Sequence, residues 1–325
     1  MITYTKNGRE EIVNKTYERS GCVPPHVTID TWFSFVLRHF VRPYQRCLYS
    51  RRVSGIHFIP GRSPYWISEK ATRRHFFSDP NLIYSDKLSK FAYRTIERTD
   101  GLPIRRFEQI FGKLFIDESQ DLAGYDLELV ELLLNSEIEL MLVADHRQAT
   151  FSTHSSAKNK KYGGSNIILK FEEWESSGLC DIEHHDYSYR CVQEICDFAD
   201  QFHPDAPNTE SKNDTETDHD GIFAVRASDV AQYVDTYDPQ PLRYSKKTPC
   251  PHSSPINFGA SKGMTFERTL IYPHGPLKKF LTTAKLADVG KEIAKVYVAV
   301  NRARQSVAFV IDDGQAVVGI PIFEP

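Results

Sequence analysis

The chain has 325 residues, of which 40% are apolar and 26% charged, so it is an ordinary folded protein long enough for two domains. Its formal net charge of −3 excludes a wholesale polycation, though 40 Lys and Arg leave room for a local basic groove. No signal peptide and no apolar run near the ~20 residues of a membrane span are found, so a cytoplasmic protein is expected.

In chain order, Ile2-Thr3-Tyr4-Thr5 reads as a β-branched strand, and residues 7–19 follow at helical spacing. A second short strand covers 27–29. Asp30 or Thr31 then caps a helix running through Trp32, Phe35, Val36 and Phe40. From 42 to 106 aromatics, Arg and His mix with Pro60, Pro64 and Pro80, which reads as a small helical insertion rather than part of a sheet. Leu114-Phe115-Ile116 is a short apolar strand, 125–134 an amphipathic helix, and Leu140-Met141-Leu142-Val143 the next buried strand. Strand, helix, strand in that order predicts a parallel sheet. Beyond 185, residues 193–202 look helical, and 203–220 is polar and acidic, so it reads as an exposed loop. Strands are expected at 222–225, 256–258, 269–272 and 307–311, with a helix over 293–302 leading into the last.

The six cysteines contain no CxxC pair, and Cys180, His184, His185 and Cys191 fit no common metal-ligand spacing, so free thiols are expected. The strongest chemical signal is Asp117-Glu118-Ser119-Gln120-Asp121 after the strand at 114–116. An apolar strand that delivers adjacent carboxylates to its end suits nucleotide hydrolysis: one acid for Mg²⁺, the next to orient and deprotonate water.

This DExQD segment resembles the Walker B element of superfamily 1 helicases of the UvrD/Rep kind, and other segments follow in that family's order. Val143-Ala144-Asp145-His146-Arg147-Gln148 resembles GDxxQ, which implies γ-phosphate sensing by Gln148. Asp186-Tyr187-Ser188-Tyr189-Arg190 resembles the segment whose Arg reaches the γ-phosphate. Ser261-Lys262-Gly263-Met264-Thr265-Phe266-Glu267 resembles KGLEF, and Val296-Tyr297-Val298-Ala299-Val300-Asn301-Arg302-Ala303-Arg304 resembles YVALTRAR, with Arg302 as second arginine finger. The resemblance places Gln120, Asp121, Asp145, Gly263 and Thr265 around the nucleotide. Tyr4-Thr5-Lys6-Asn7 resembles FTNK and Thr28-Ile29-Asp30-Thr31-Trp32-Phe33-Ser34 resembles STFHS. These imply DNA contacts by Thr5, Lys6, Thr31, Phe33 and Lys262, with Phe151 as a further base-stacking candidate; Phe33 and Phe151 could equally pack in a core.

The resemblance implies two RecA-like parallel-sheet domains, 1–180 and 181–325, with ATP and Mg²⁺ in the cleft between them. Glu118, Gln148, Arg190 and Arg302 are the catalytic candidates and Asp117 holds the metal. It implies DNA as partner, and by analogy with compact helicases of anti-phage systems such as Gabija, a nuclease subunit. Four departures stand out. The chain contains no GxxxxGK[ST] phosphate-binding loop, Thr265 stands for a ribose-binding Glu, Thr153 for a stacking Trp, and Ala144 for Gly. In the family the phosphate-binding loop precedes the FTNK strand. Either the reading frame has been started late, truncating the first domain, or the chain is a degenerate helicase that binds without hydrolysing. The shared presence of both acids, Gln148 and both arginines favours the former, and 1–325 alone is expected to be inactive.

Overall fold

A computed structural model describes residues 1–59, 61–150 and 157–325, which form two compact units, Met1–Ile182 and Glu183–Pro325. Both are α/β, each built on a parallel sheet, as the sequence predicts. No helix among the described residues is long and apolar enough to cross a membrane.

In the first unit four strands lie in the order Asp30–Thr31, Ile2–Thr3, Lys113–Ile116, Glu139–Leu142, every pair parallel. Leu114 faces Leu140 and Ile116 faces Leu142, so the two apolar runs read from the sequence are neighbours in register. The second is not the buried strand expected: it lies at the edge of the sheet, with Met141 and Val143 exposed and Leu140 and Leu142 only half-buried. Because all four strands point the same way, their C-terminal ends, and the loops that follow them, line one edge of the sheet. The strand at 30–31 begins where the expected one, at 27–29, ends, and Thr31 rather than Asp30 caps the helix Trp32–Val36.

The helix Lys6–Ser20 is capped by Thr5, whose hydroxyl accepts from Gly8 N at 3.0 Å, and closes on left-handed Gly21. Gly8 sits so close to the first strand that a Cβ would stand 2.8 Å from Thr3 Oγ1. Glycine inside a helix ordinarily costs about 1 kcal/mol against alanine, yet here Gly8→Ala is expected to destabilise the unit by about 1–3 kcal/mol through overpacking. Urea unfolding reads the sign directly: a raised midpoint would contradict the close packing.

The insertion corrects the helical expectation for 42–106. It carries its own three-stranded sheet, with Leu82–Tyr84 between parallel Gly55–His57 and antiparallel Phe77–Asp79. Strands of three residues are too short to show an alternating pattern. Its helices Leu88–Arg98 and Leu102–Ile110 are amphipathic and bury Leu88, Phe91, Ile96 and Phe107 in the core of the unit. At the centre of that core Asp126, wholly buried at the start of helix Tyr125–Leu134, accepts from Trp32 Nε1 at 2.8 Å and from the Ser89 hydroxyl. One carboxylate thus joins three segments distant in sequence.

In the second unit the strand order is Gly221–Arg226, Ala303–Ile311, Phe266–Tyr272, Gln240–Arg243, Ile256–Asn257, again all parallel. The helices Gln193–Asp200 and Ile293–Val300 pack their apolar faces on it. The polar segment 203–220 is not simply a loop: Glu210–Ser211 pairs in parallel with Tyr187–Ser188. Side chains rather than apolar packing fix it, since Gln193 bonds Thr209 O and Ser211 N, and Asp200 accepts from the Thr209 hydroxyl.

His219, buried, is stacked between Phe223 and Tyr237 at 3.8 and 3.9 Å, with Nε2 bonded to Tyr233. Burial, then the charge of Arg268, lowers its pKa to about 4 against the opposing pull of Asp220. A depressed histidine pKa means that the unfolded chain takes up the proton first as pH falls. The unit is therefore expected to keep its stability above about pH 6.5 and to lose part of it between there and about pH 4. In His219→Phe, which keeps the stacked ring, the urea midpoint should depend less on pH over this window; an unchanged slope would clear the histidine.

Candidate functional site

In the first unit the chain leaves the strand Lys113–Ile116 through Asp117, whose N–H donates to Ile2 O at 2.8 Å. Glu118 then adopts a left-handed backbone, φ 56° and ψ 37°. For a residue with a Cβ this costs on the order of 1 kcal/mol and is held only where the surroundings enforce it. They do so here. Ser119 N and Oγ both donate to Val143 O, at 3.0 and 2.6 Å, and Asp121 N returns to Glu118 O at 3.1 Å.

Gln120, buried, connects the two strand ends. Its Nε2 donates to the Glu118 carboxylate, and its Oε1 accepts from Asp145 N at 3.2 Å. Asp145 caps the short turn His146–Gln148, accepting from Arg147 N at 3.0 Å, Arg147 Nε at 3.1 Å and Gln148 Nε2 at 2.9 Å. Burial would raise its pKa, but the Arg147 charge and these hydrogen bonds outweigh it, so Asp145 is held ionised below its ordinary range. The structure thus brings Asp117, Glu118, Gln120, Asp121, Asp145 and Gln148 together at the ends of two adjacent strands. Such a group can present carboxylate oxygens and an amide to a hydrated cation or a phosphate-bound water.

The other half of the same edge carries the residues expected at nucleic acid. Thr5 follows the strand Ile2–Thr3 and Thr31 ends the strand Asp30–Thr31, and both spend their hydroxyls on helix caps, Thr5 on Gly8 N and Thr31 on Ser34 N at 3.4 Å. Lys6 is exposed in the first turn of its helix, where no acid accompanies it. Phe33 is 7% exposed, sealed between Tyr4 at 5.5 Å and Phe58 at 5.2 Å, while Phe58 is 61% exposed. The ring that reaches solvent at this point is therefore Phe58, which sequence reasoning passed over because it lies in the unmatched insertion. Tyr4 ties the halves together: burial, then the charges of Asp126 and Asp121, push its pKa to about 12. Phe151 lies outside the described residues, as does Thr153.

In the second unit Arg190 follows the strand Tyr187–Ser188 and donates from Nη1 to Asn301 O at 3.0 Å. Arg302, the next residue along from Asn301, is 1% exposed; its Nε donates to Val298 O at 2.9 Å and its Nη1 to Met264 O at 3.4 Å. Arg190, Arg302 and the Lys262-Gly263-Met264 turn, with Gly263 at φ 83°, are thereby gathered in one place. Cys191 lies among them. Its thiol, hydrogen-bonded to Cys196 and flanked by Arg190 and Arg302, is held below the usual thiol range. Lys262 is buried and Thr265 half-buried beside it. Among the described residues no three His, Cys, Asp or Glu side chains are placed to hold a metal on their own.

No protein-family model matches the chain, and no curated protein matches it. Among solved structures it is similar to a PRRSV helicase, at 21% identity over 63% of this chain and 36% of that one, TM-score 0.37. It is also similar to the arterivirus nonstructural protein 10 helicase, at 12% identity over 95% of this chain and 52% of that one, with TM-scores of 0.42 and, for its complex with DNA, 0.40. The chain spans between about a third and a half of the length of these structures.

Proposed function

We propose that residues 1–325 form the body of an ATP-dependent DNA helicase or single-stranded DNA translocase of the UvrD/Rep type. The observation that carries this reading is the carboxylate and amide group at the ends of Lys113–Ile116 and Glu139–Leu142, with Glu118 held in a left-handed conformation. In this reading ATP is hydrolysed between two RecA-like domains. Asp117, at the strand end, is the residue that fits Mg²⁺, which supplies positive charge to the phosphates when bound. Glu118 takes the proton of the attacking water, with Gln120 fixing the carboxylate from behind. Gln148, fastened to Asp145, turns its remaining amide capacity to the γ-phosphate. Arg190 and Arg302 supply charge from the second unit, and guanidinium suits phosphate because it pairs in a bidentate fashion. Thr5, Thr31 and Lys262 contact the DNA strand, and a nuclease subunit is the partner that the family analogy adds.

Residues 1–325 contain no glycine-rich loop ending in Gly-Lys-Thr or Gly-Lys-Ser, so they offer no backbone cradle for the β- and γ-phosphates. Turnover is accordingly proposed for a protein that supplies one, and not for this stretch alone. The test is ATP hydrolysis with and without single-stranded DNA, measured for residues 1–325 and for the longest in-frame product that contains them. DNA-stimulated turnover confined to the longer product is the expected result. Absence of turnover in both would leave the second reading, a non-hydrolysing helicase-like subunit. The burial of Arg302 against two backbone carbonyls, a structural use of that side chain, is the observation on its side.

A further inference from the structure

The insertion of the first unit concentrates positive charge in a chain that is acidic overall. Residues 42–76 hold eight Lys and Arg against a single acid, Glu69, while the net charge of the whole is −3. Arg42, Arg46 and Arg52 line one cleft of about 400 Å³ with Pro43, Gln45 and Ser50, and no acid among them. The same insertion displays three large rings: Phe58, 61% exposed, Tyr65, 71%, and Trp66, 73%. Tyr65 and Trp66 meet edge to face at 5.2 Å, and the Arg62 guanidinium lies 5.8 Å from the Tyr65 ring.

These rings are not on a loose loop. Ser63 N and Oγ both donate to Asp86 Oδ2, at 3.0 and 2.9 Å. The buried ammonium of Lys87 donates to Pro64 O at 2.9 Å and to His75 O at 2.6 Å, and His75 Nδ1 bonds Ile67 O at 2.6 Å. Anchors on both sides of Tyr65-Trp66 fasten the backbone that carries the two solvated rings, so little backbone ordering remains to be done when a ligand arrives. Large rings that stay in water while their backbone is fastened from below mark a contact surface.

We infer that the insertion is a binding surface for single-stranded nucleic acid, with unstacked bases on Trp66, Tyr65 and Phe58 and the phosphates on the arginines of 42–62. Bases stack on aromatic faces whatever their sequence, and guanidinium groups take the phosphodiester between them. Duplex DNA would offer no free base faces to these rings. A membrane surface fits less well, because the rings alternate with arginines on a pinned loop instead of forming one face of an amphipathic helix. The surface requires neither nucleotide nor Glu118 and stands apart from the hydrolysis reading.

Tryptophan emission provides the test. Of the three tryptophans, Trp32 and Trp174 are fully buried, so Trp66 is the one that reports on solvent. The chain is titrated, without nucleotide, with an oligothymidylate of about twenty nucleotides, long enough for one binding site. Quenching of Trp66 is expected in the unaltered chain. The ring variants lack this reporter, so their Kd is read from the anisotropy of a fluorescein-labelled oligothymidylate. Tyr65→Ala with Trp66→Ala should raise it by about tenfold or more, whereas Trp66→Phe keeps the affinity. Arg46→Ser with Arg52→Ser should shallow the slope of log K against log salt by about 1.4. Unchanged Trp66 emission in the unaltered chain, or an unchanged anisotropy Kd in the Tyr65→Ala, Trp66→Ala variant, would overturn the inference. So would phosphatidylserine vesicles that shift Trp66 to the blue where the oligonucleotide does nothing. Binding that survives loss of the rings and arginines but falls with Thr31→Ala would remove this surface and leave the helicase reading in place.

Discussion

Glu118→Gln should reduce DNA-stimulated ATP turnover by about 10²–10⁴-fold in the form of the protein that hydrolyses ATP. The substitution keeps the length and planarity of the side chain and leaves the left-handed backbone to the same anchors, Ser119 on Val143 O and Asp121 N on Glu118 O. What it removes is the proton acceptor. It also turns the bond from Gln120 Nε2 into an amide–amide contact, so the side chain loses its fixed charge but not its place. Nucleotide binding, read by a fluorescent ATP analogue, should stay within about a factor of a few, because a general base acts in the transition state and contributes little to ground-state affinity. A variant that hydrolyses at the normal rate would remove Glu118 from the role of base. Lost binding together with lost turnover would point to collapse of the 117–121 turn instead.

The largest effect on stability is expected at Trp32. Trp32→Ala empties a fully buried site and should cost the first unit about 3–5 kcal/mol. It also strips one donor from the buried carboxylate of Asp126. Trp32→Phe separates the two contributions: most of the volume remains, and the loss of the indole N–H should cost about 1–3 kcal/mol. Circular dichroism during urea unfolding is the suitable probe, since each variant deletes a fluorophore. If Trp32→Phe proved as damaging as Trp32→Ala, the hydrogen bond to Asp126 would outweigh the packing; if it were silent, Ser89 alone would suffice for the carboxylate. Trp32 is followed by Phe33 and capped by Thr31, so the same variants report on the half of the sheet edge assigned to DNA.

How much of this was legible in the sequence depended on the length of the apolar signal. The helix Tyr125–Leu134 and the strands at 113–116 and 139–142 were readable because each has an uninterrupted pattern and a polar stop. Gln240–Arg243 was missed although it lies between two other strands, because Pro241 argues against an interior strand. The helix Gly275–Thr283 was hidden in the same way: Gly275-Pro276 looks like a turn but serves as a first helical turn. At the site, the acids and Gln148 could be located from residue order alone, because a parallel strand delivers whatever follows it to the same edge. The role of Gln120 as the link between the two strand ends could not, since it depends on the distance between residues 25 apart. Phe33 shows the reverse limit: its motif neighbours were informative, but its exposure is set by Phe58, which belongs to no motif.

The strand Glu139–Leu142 ends the first sheet, and among the described residues no strand lies beyond it. After Glu139, whose charge is paired with Lys113, the run Leu140-Met141-Leu142 and the following Val143 carry neither charge nor proline, and Met141 and Val143 stand half in water. Natural edges are usually blunted by lysine, proline or a bulge, because an unblunted one is a template on which another molecule can lay a strand. The practical consequence is colloidal. As these 325 residues are concentrated, light scattering should rise from slow self-association at this edge well before the net charge of −3 would predict, and one lysine at Met141 should lift that ceiling.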